Sequence, residues 1–394
     1  MKRSQIYALI NSMSKEIFGE SAITVKDTAS FLSWGSAALS EDLVDQVYSK
    51  LIDRIGKTII LYDKLLEKNL IKRVDTIEFG SILQTIETKN IASAKENQTW
   101  VTESGGTLKQ VDPFNVIGKD DTDLLVQYFG KRGTWEIDKV KYDYQLNDAF
   151  TSEASFSAFS DMITEDMYNG MTQAKNDLQH GVLASAIGSC IYTGTKELSP
   201  KPAMARNLLK EYNTVTSASL TLANCLTNKE FLRFCAKEIW LAVKKLSDPS
   251  ILYNELGAVK WTNEPNVYAL SNYTTASDAY LSADTYHKNL VSLPTYEELN
   301  FWQAQGTDSA FETVSKIAVK VHEGDADTTG HDVEQSGIIA YICDPWRQGY
   351  MFDRVRMKSI YNPASECTTF FNKADQGFFI NRARNGIVFY LAEA

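Results

Sequence analysis

The chain has 394 residues, 44% hydrophobic and 23% charged, the balance of an ordinary globular protein with room for two or three cores. A net charge of −10 argues against a protein that grips nucleic acid over its whole surface, though not against one that encloses it passively. Cys190, Cys225, Cys235, Cys343 and Cys367 are widely spaced with no CxxC pair, which predicts buried, reduced thiols in a cytoplasmic protein rather than a disulfide framework or a zinc site.

Residues 1–40 are weakly patterned and read as an N-terminal arm with one short helix. Asn11, Ser12, Lys15 and Glu16 interrupt any apolar run there, so no signal peptide is expected. Residues 41–55 look helical, and Gly56 ends that helix before a short apolar strand, Thr58–Tyr62. Residues 71–147 then read as an arm that leaves the body and returns. The outgoing leg carries Val74, Thr76, Ile77 and Phe79. The returning leg alternates through Trp135 and Ile137, shifts phase at Asp138-Lys139, and resumes at Val140, Tyr142, Tyr144 and Leu146. A single shift in a period-two pattern predicts a β-bulge. Between the legs lie the flexible tip Ser104-Gly105-Gly106-Thr107, the turn Asp112-Pro113 and a predicted short helix, Asp121–Phe129. A two-stranded arm has too little apolar area to stand alone in water, so it must rest on its own body or on a neighbouring copy. The pattern leaves both open.

From Ser152 to about Leu183, apolar residues fall at Phe156, Phe159, Ile163, Met167, Met171, Ala174, Leu178 and Val182, every step three or four residues. That is one stripe on a helix roughly 45 Å long. The longest uncharged stretch, roughly 181–195, is too short and too rich in Gly and Ser to span a bilayer. Pro200 and Pro202 mark a boundary, and a second helix is predicted over Asn228–Leu246, with Pro249 beyond it. Residues 250–345 mix short strands and turns with a helix near Thr295–Gln303. Ile317–Val321 and Gly337–Ile342 read as strands paired around an acidic loop. The end is β-rich: Val355–Tyr361, Thr368–Asn372, Gly377–Arg382 and Ile387–Leu391, with Asn385-Gly386 as the last turn.

Motifs for catalysis are mostly missing. There is no GxGxxG, GxxxxGK[ST], GxSxG or HExxH, and His180, His287, His322 and His331 are scattered. Asp325-x-Asp327-x-Thr329-Gly330 copies the first half of a calcium loop. Asp332 stands where an apolar residue belongs and Ser336 where a bidentate Glu belongs, so a solvated hairpin tip is the expected structure. Basic residues gather near the end (Arg347, Arg354, Arg356, Lys358, Lys373, Arg382, Arg384), nearly balanced by Asp344, Asp353, Glu366 and Asp375. Inter-subunit salt bridges or a solvated face fit them better than nucleic-acid binding.

The order of N-arm, extended β-arm, long helix, mixed middle and β-rich end resembles the tailed-phage major capsid proteins of Hong Kong 97-type fold. Local blocks are most similar to the head proteins of small podoviruses with protein-primed DNA replication. These blocks are Leu51-Ile52-Asp53-Arg54-Ile55-Gly56 with Ile59-Ile60, and Phe150-x-Ser152-x3-Phe156-x2-Phe159. Near the end come Met357-x4-Asn362-Pro363 and Arg382-x2-Asn385-x3-Phe389. Order and spacing hold over most of residues 45–394. The resemblance implies an α+β fold divided into an N-terminal arm (1–65), an extended E-loop arm (66–147), a P-domain with its spine helix (148–205 and 345–394) and an α/β A-domain (206–344). It implies a structural role without catalytic residues, cofactor or metal: assembly as pentamers and hexamers into a virion head around double-stranded DNA. The implied partners are further copies, a portal protein and a scaffolding protein, with no membrane, and assembly takes place in the host cytoplasm. Inter-subunit contacts are expected at Trp100, Gly105, Gly106, Phe114, Trp135, Tyr142, Tyr144, Arg354, Arg356, Arg382 and Arg384. The rival reading is an enzyme with residues 71–147 as a lid over the middle domain.

Overall fold

A computed structural model describes residues 3–19, 22–38, 65–74, 83–91, 124–129, 132–142, 145, 153–281, 296–303, 310–324 and 327–393. In chain order the first elements are α1 (Arg3–Phe18), α2 (Thr28–Ala38), β1 (Lys72–Arg73), β2 (Leu83–Thr88), β3 (Leu124–Phe129) and β4 (Arg132–Tyr142). Then come α3 (Glu153–Thr195), β5 (Ala205–Asn207), α4 (Leu208–Thr216), α5 (Leu222–Cys225), α6 (Lys229–Lys245), β6 (Asn266–Leu270) and α7 (Ser271–Leu281). The last are β7 (Glu297–Leu299), α8 (Phe311–Val314), β8 (Ile317–Val321), β9 (His331–Gln335), β10 (Ile338–Cys343), β11 (Gln348–Asn362), β12 (Cys367–Ile380) and β13 (Gly386–Tyr390).

Helix α3 is the organiser. It is 43 residues long, about 65 Å, and runs a full turn-series beyond the expected end near Leu183. The predicted stripe is buried at Phe156, Phe159, Met167 and Val182. Two glycines in its second half are contact points: a Cβ on Gly188 would overlap Val319 of β8, and one on Gly194 would meet Ala205 of β5 at close range. Glycine in a helix costs about 1 kcal/mol against alanine, and here it lets two strands lie directly on the helix.

Strands β5-β13-β10-β6-β7 form a five-stranded mixed sheet in that order. One face, with Tyr268, Leu270, Tyr341 and Val388, packs on Leu183, Ile187 and Cys190 of α3. The other, with Val267, Ala269, Ile342, Ile387 and Phe389, packs on Phe231, Leu232, Cys235 and Ile239 of α6. Because both faces are covered, β10 is buried along its whole length and reads as an unbroken apolar run. A second sheet, ordered β1-β11-β12-β4, lies along the first half of α3. A third core joins α1 and α2 to the start of α3 through Phe31, Trp34 and Phe156, so the N-terminal region holds two helices where one was expected. Asp27 caps the second, its carboxylate accepting the Ser30 N–H at 2.8 Å.

Several expectations need correction. Among the described residues, the returning leg 132–142 pairs with β12 and not with Val74; Thr76, Ile77 and Phe79 of the outgoing leg lie outside them. The returning leg is the edge strand β4, in continuous antiparallel register with β12 from Tyr142↔Cys367 to Arg132↔Gly377. The predicted bulge at Asp138-Lys139 is therefore not there; the irregularity lies between Asp353 and Arg356 in the β11–β12 ladder. Both faces of β4 carry mixed residues, so its alternation alone misplaced the shift. Leu124–Phe129 is a strand, not a helix, because its β-branched and aromatic residues pair with β2. Glu297–Leu299, also expected to be helical, is a strand beside β6. Strand β8 pairs with β9, not with 337–342, which belongs to the five-stranded sheet. Residues 368–372 and 377–382 fall largely within one long strand, β12. β13, grouped by resemblance with the P-domain, pairs with β10 and β5 of the middle sheet. The helix at 41–55 and the strand Thr58–Tyr62 lie outside the described residues.

Candidate assembly surfaces

The arm, as described, is the ribbon β2–β3, paired from Leu83↔Phe129 to Thr88↔Leu124. In an antiparallel pair, directly opposed residues share a face, so the ribbon has two distinct sides. Ile86 and Val126 form one side with Gln84, Tyr128, Thr88 and Leu124. That side is open: Tyr128 is 67% exposed, Ile86 61%, Leu124 59% and Val126 41%. The opposite side is mixed, with Thr85, Glu87 and Gln127 beside Leu83, Leu125 and Phe129; all but Leu83 are half-buried, and it rests on its own chain. Glu87 pairs with Lys260 at 2.8 Å and Arg384 at 3.0 Å, and accepts from Asn381 Nδ2 at 2.6 Å. Burial alone would raise the Glu87 pKa, but these partners outweigh it and hold the carboxyl below the ordinary glutamate range. Gln127 donates to Asn381 Oδ1 at 2.7 Å and accepts the Arg382 N–H at 3.2 Å. Phe129 packs on Phe379 with ring centroids 5.6 Å apart. The attachment is thus partly ionic and partly apolar, while Ile86, Val126, Leu124 and Tyr128 stay outward.

The segment leading to the arm is also tied down. Along α3, Asn169, Asn176 and Gln179 accept the backbone N–H groups of Leu65, Lys68 and Leu70 at 2.9, 2.9 and 2.8 Å. Asn176 and Gln179 return hydrogen bonds to the carbonyls of Leu66 and Lys68 at 3.2 and 2.5 Å. Three amides on one helix thus hold an extended segment that forms no ladder of its own.

The β11–β12–β4 sheet buries one face against α3 and leaves the other open. Register places Ile360, Thr369 and Val140 in one row of the open face and Arg356, Lys373 and Glu136 in another. Lys373 pairs with Glu136 at 2.6 Å, and Arg356 with Asp375 at 2.5 Å. Tyr142 lies exposed at the end of that face. Trp135, by contrast, is on the inner face with its ring 5.4 Å from that of Phe352, so it is a packing residue of this chain. The Arg354 backbone lies within β11. Trp100, Gly105, Gly106, Phe114 and Tyr144 lie outside the described residues.

Arg382 and Arg384 are engaged within the chain. Glu255 and Arg347, both fully buried in side chain, pair at 2.6 Å. Arg382 Nε adds a contact to Glu255 at 2.5 Å, and Ser189 of α3 donates to the same carboxylate at 2.5 Å. Burial pushes the Glu255 pKa up, but the two guanidiniums outweigh it and the group stays ionised. Arg347 further donates to the Arg384 carbonyl at 2.6 Å and to Cys190 Sγ at 3.1 Å. Burial lifts the Cys190 thiol to about 12, which keeps it neutral beside the guanidinium. Arg382 also holds the Glu323 carbonyl, and Arg384 approaches Asp344 at 3.7 Å. One junction therefore joins α3, the 253–262 loop, the 381–385 turn and the arm. No sequence signal marks it, since Glu87 and Asn381 are almost 300 residues apart.

The calcium-like segment is the tip between β8 and β9. Asp327 accepts the Gly330 N–H at 2.8 Å and the Glu323 N–H at 3.0 Å, which makes it a turn-former; Asp325 lies outside the described residues. Among the described residues, no three His, Cys, Asp or Glu side chains come together as a metal site, and no helix is long and apolar enough to cross a membrane. All five cysteines are buried and free.

A family model described as Phi29-like phage major capsid protein matches residues 7–390. Among solved structures, the chain is similar to the capsid structure of Staphylococcus phage Andhra, at 10% identity over 86% of this chain and 87% of that one, with a TM-score of 0.52. It is also similar to the capsid structure of Cyanophage P-SCSP1u (10% identity, 86% and 92% covered, TM-score 0.47). The mature capsid of bacteriophage PhiM1 gives 9% identity, 86% and 90% coverage and a TM-score of 0.46. No curated protein matches. At 10% identity the Andhra likeness shows a shared fold, and residue roles rest on this chain's own geometry. With the family model spanning nearly its whole length, the chain belongs to the Phi29-like phage major capsid protein family, with the α+β, Hong Kong 97-type fold of phage capsids.

Proposed function

We propose that copies of this chain assemble as pentamers and hexamers into the head that encloses a double-stranded DNA genome, with the arm of each copy reaching onto the next. The observation that carries this reading is the outward apolar side of the ribbon, Ile86, Val126, Leu124 and Tyr128. A ribbon fastened to its own chain by one side and bare at four large apolar residues on the other is arranged to receive a second surface. Fully burying an aliphatic side chain is worth about 1.5–3 kcal/mol, so the parts still exposed on these four supply roughly 3–5 kcal/mol per contact. Repeated around closed rings, contacts of that size hold a shell together. The open face of β11–β12–β4, with Tyr142, Ile360 and Val140 beside the Arg356 and Lys373 pairs, is the surface we assign to receive it.

Membership of a structural family assigns the chain a building role in the virion rather than catalysis. A portal protein at one vertex, a scaffolding protein during assembly and the host cytoplasm as its place complete the reading. The acidic balance of −10 suits a wall that holds DNA without gripping it. In the contact set, Trp135, Arg382 and Arg384 give way to the ribbon side chains, because all three are engaged internally. Electron microscopy of the purified full-length chain tests the reading: closed particles or capsomer rings are expected. A chain that stays monomeric at tens of micromolar in gel filtration, and forms no particles on concentration, contradicts it.

A further inference from the structure

The fastened side of the ribbon poses a question that the open side does not. A two-stranded ribbon has no core to set its direction. Its polar attachment here is made by two side chains, Glu87 on β2 and Gln127 on β3, beside the packing of Phe129 on Phe379. Glu87 meets Lys260, Arg384 and Asn381; Gln127 meets Asn381 and the Arg382 backbone. Two backbone-directed contacts continue the attachment at the end of β2: Val259 N–H donates to the Lys89 carbonyl at 2.8 Å, and Lys260 Nζ to the Thr88 carbonyl at 3.1 Å. All these partners lie on the 259–260 loop or the 381–384 turn. The Arg347–Glu255 pair fixes that turn from beneath: Asn381 N–H donates to the Arg347 carbonyl, and Arg347 to that of Arg384. The charged groups around Glu87 are Lys260 and Arg384, with Asp344 beyond Arg384 and Arg382 already taken by Glu255.

We infer that Glu87 and Gln127 form a latch that preorganises the arm, fixing the ribbon to its own body with Ile86, Val126 and Tyr128 outward before a second copy arrives. The inference rests on the reading that the outward side receives a copy, and adds how it is aimed. An unlatched ribbon samples many directions, and the apparent affinity of a surface falls in proportion to the fraction of time it is correctly placed. The latch removes that loss before the encounter, since the ordering has already occurred within the subunit. Phe129 on Phe379 adds apolar area to this attachment, but an apolar patch tolerates sliding, whereas a carboxylate among two cations and an amide specifies one arrangement. Glu87 is a positioning residue, and nothing in its surroundings requires it to touch the partner copy.

The test uses the full-length chain, kept dilute as subunits, with Glu87→Gln and, separately, Gln127→Ala. Hydrogen exchange read by mass spectrometry compares peptides covering 83–91 and 124–129 with one covering 178–195 in α3. Each variant is expected to exchange about ten-fold faster in the ribbon and unchanged in α3, as local opening does. The concentration at which particles first appear should rise about ten-fold as well. Unchanged ribbon exchange in both variants overturns the latch. Faster ribbon exchange with an unchanged particle threshold overturns the preorganising role. If Glu87→Gln also loosens α3, Gln127→Ala decides alone, since it leaves every charge in place. A wild-type chain that makes no particles at any concentration overturns the shell reading instead, and the exchange comparison still decides whether the latch exists.

Discussion

Replacing Arg347 with methionine should damage this subunit more than any surface change. The side chain is fully buried, and so is its partner Glu255, 2.6 Å away. Methionine refills most of the volume, so the loss is electrostatic. Glu255 keeps Arg382 and Ser189 but loses its strongest neighbour, and the Arg384 carbonyl loses its donor. Removing one member of a buried pair costs about 3–5 kcal/mol, and the remaining Arg382 contact puts the expectation at about 3 kcal/mol. Glu255→Gln alone should cost a similar amount, because it leaves Arg347 buried without a countercharge. The double variant should cost clearly less than the sum, since each change removes the other's unmet charge. Urea unfolding followed by tryptophan fluorescence reads this: at a slope near 3 kcal/mol/M, each single variant moves its midpoint down by about 1 M. Single variants that shift it by under 0.3 M, or a double variant equal to the sum, would refute the claim that this pair ties the junction.

Two further outcomes follow from the same geometry. Glu87 and Glu255 both have pKa values lowered in the fold, so their contribution to stability is fully present above the ordinary glutamate value of 4.5. It is lost as pH falls below that value; melting temperature should be level from pH 8 to 5 and drop below about 4.5, and a rise on acidification would be the wrong sign. Gly337 has φ +74°, and a Cβ there would run into the Leu391 carbonyl. Gly337→Ala should cost about 2 kcal/mol and loosen β13 first, visible as faster amide exchange at 386–391; an unperturbed melt would contradict this.

The legible parts of this fold were those governed by one period. The stripe from Phe156 to Val182 sits on a single helix face, and the Asn228 cap and Lys244-Lys245 end of α6 stand where local chemistry puts them. Capping of α2 by Asp27, with Phe31, Trp34 and Ala38 buried behind it, was readable at helical spacing but was overshadowed by Ser and Gly. Pairing partners were not readable. Whether β4 joins an outgoing leg or β12, and whether β8 joins β9 or β10, depends on register across hundreds of residues. The arm was seen as needing shelter, yet which side faces inward was hidden, because Glu87 and Gln127 look like ordinary solvated residues until Asn381, Arg384 and Lys260 surround them. Terminal arginines suggested contacts between subunits for the same reason: their acidic partners Glu255 and Glu87 are remote in sequence.

The central claim, that the outward side of the ribbon is covered by a second copy, can be read from a single thiol. Every native cysteine is buried, so Val126→Cys places one reactive group on that side at little change in volume. Labelling with a maleimide should be fast in dilute subunits and slowed at least ten-fold in assembled particles. Equal labelling rates in subunits and particles would mean that the ribbon stays bare in the shell, and the account of how these subunits join would be wrong.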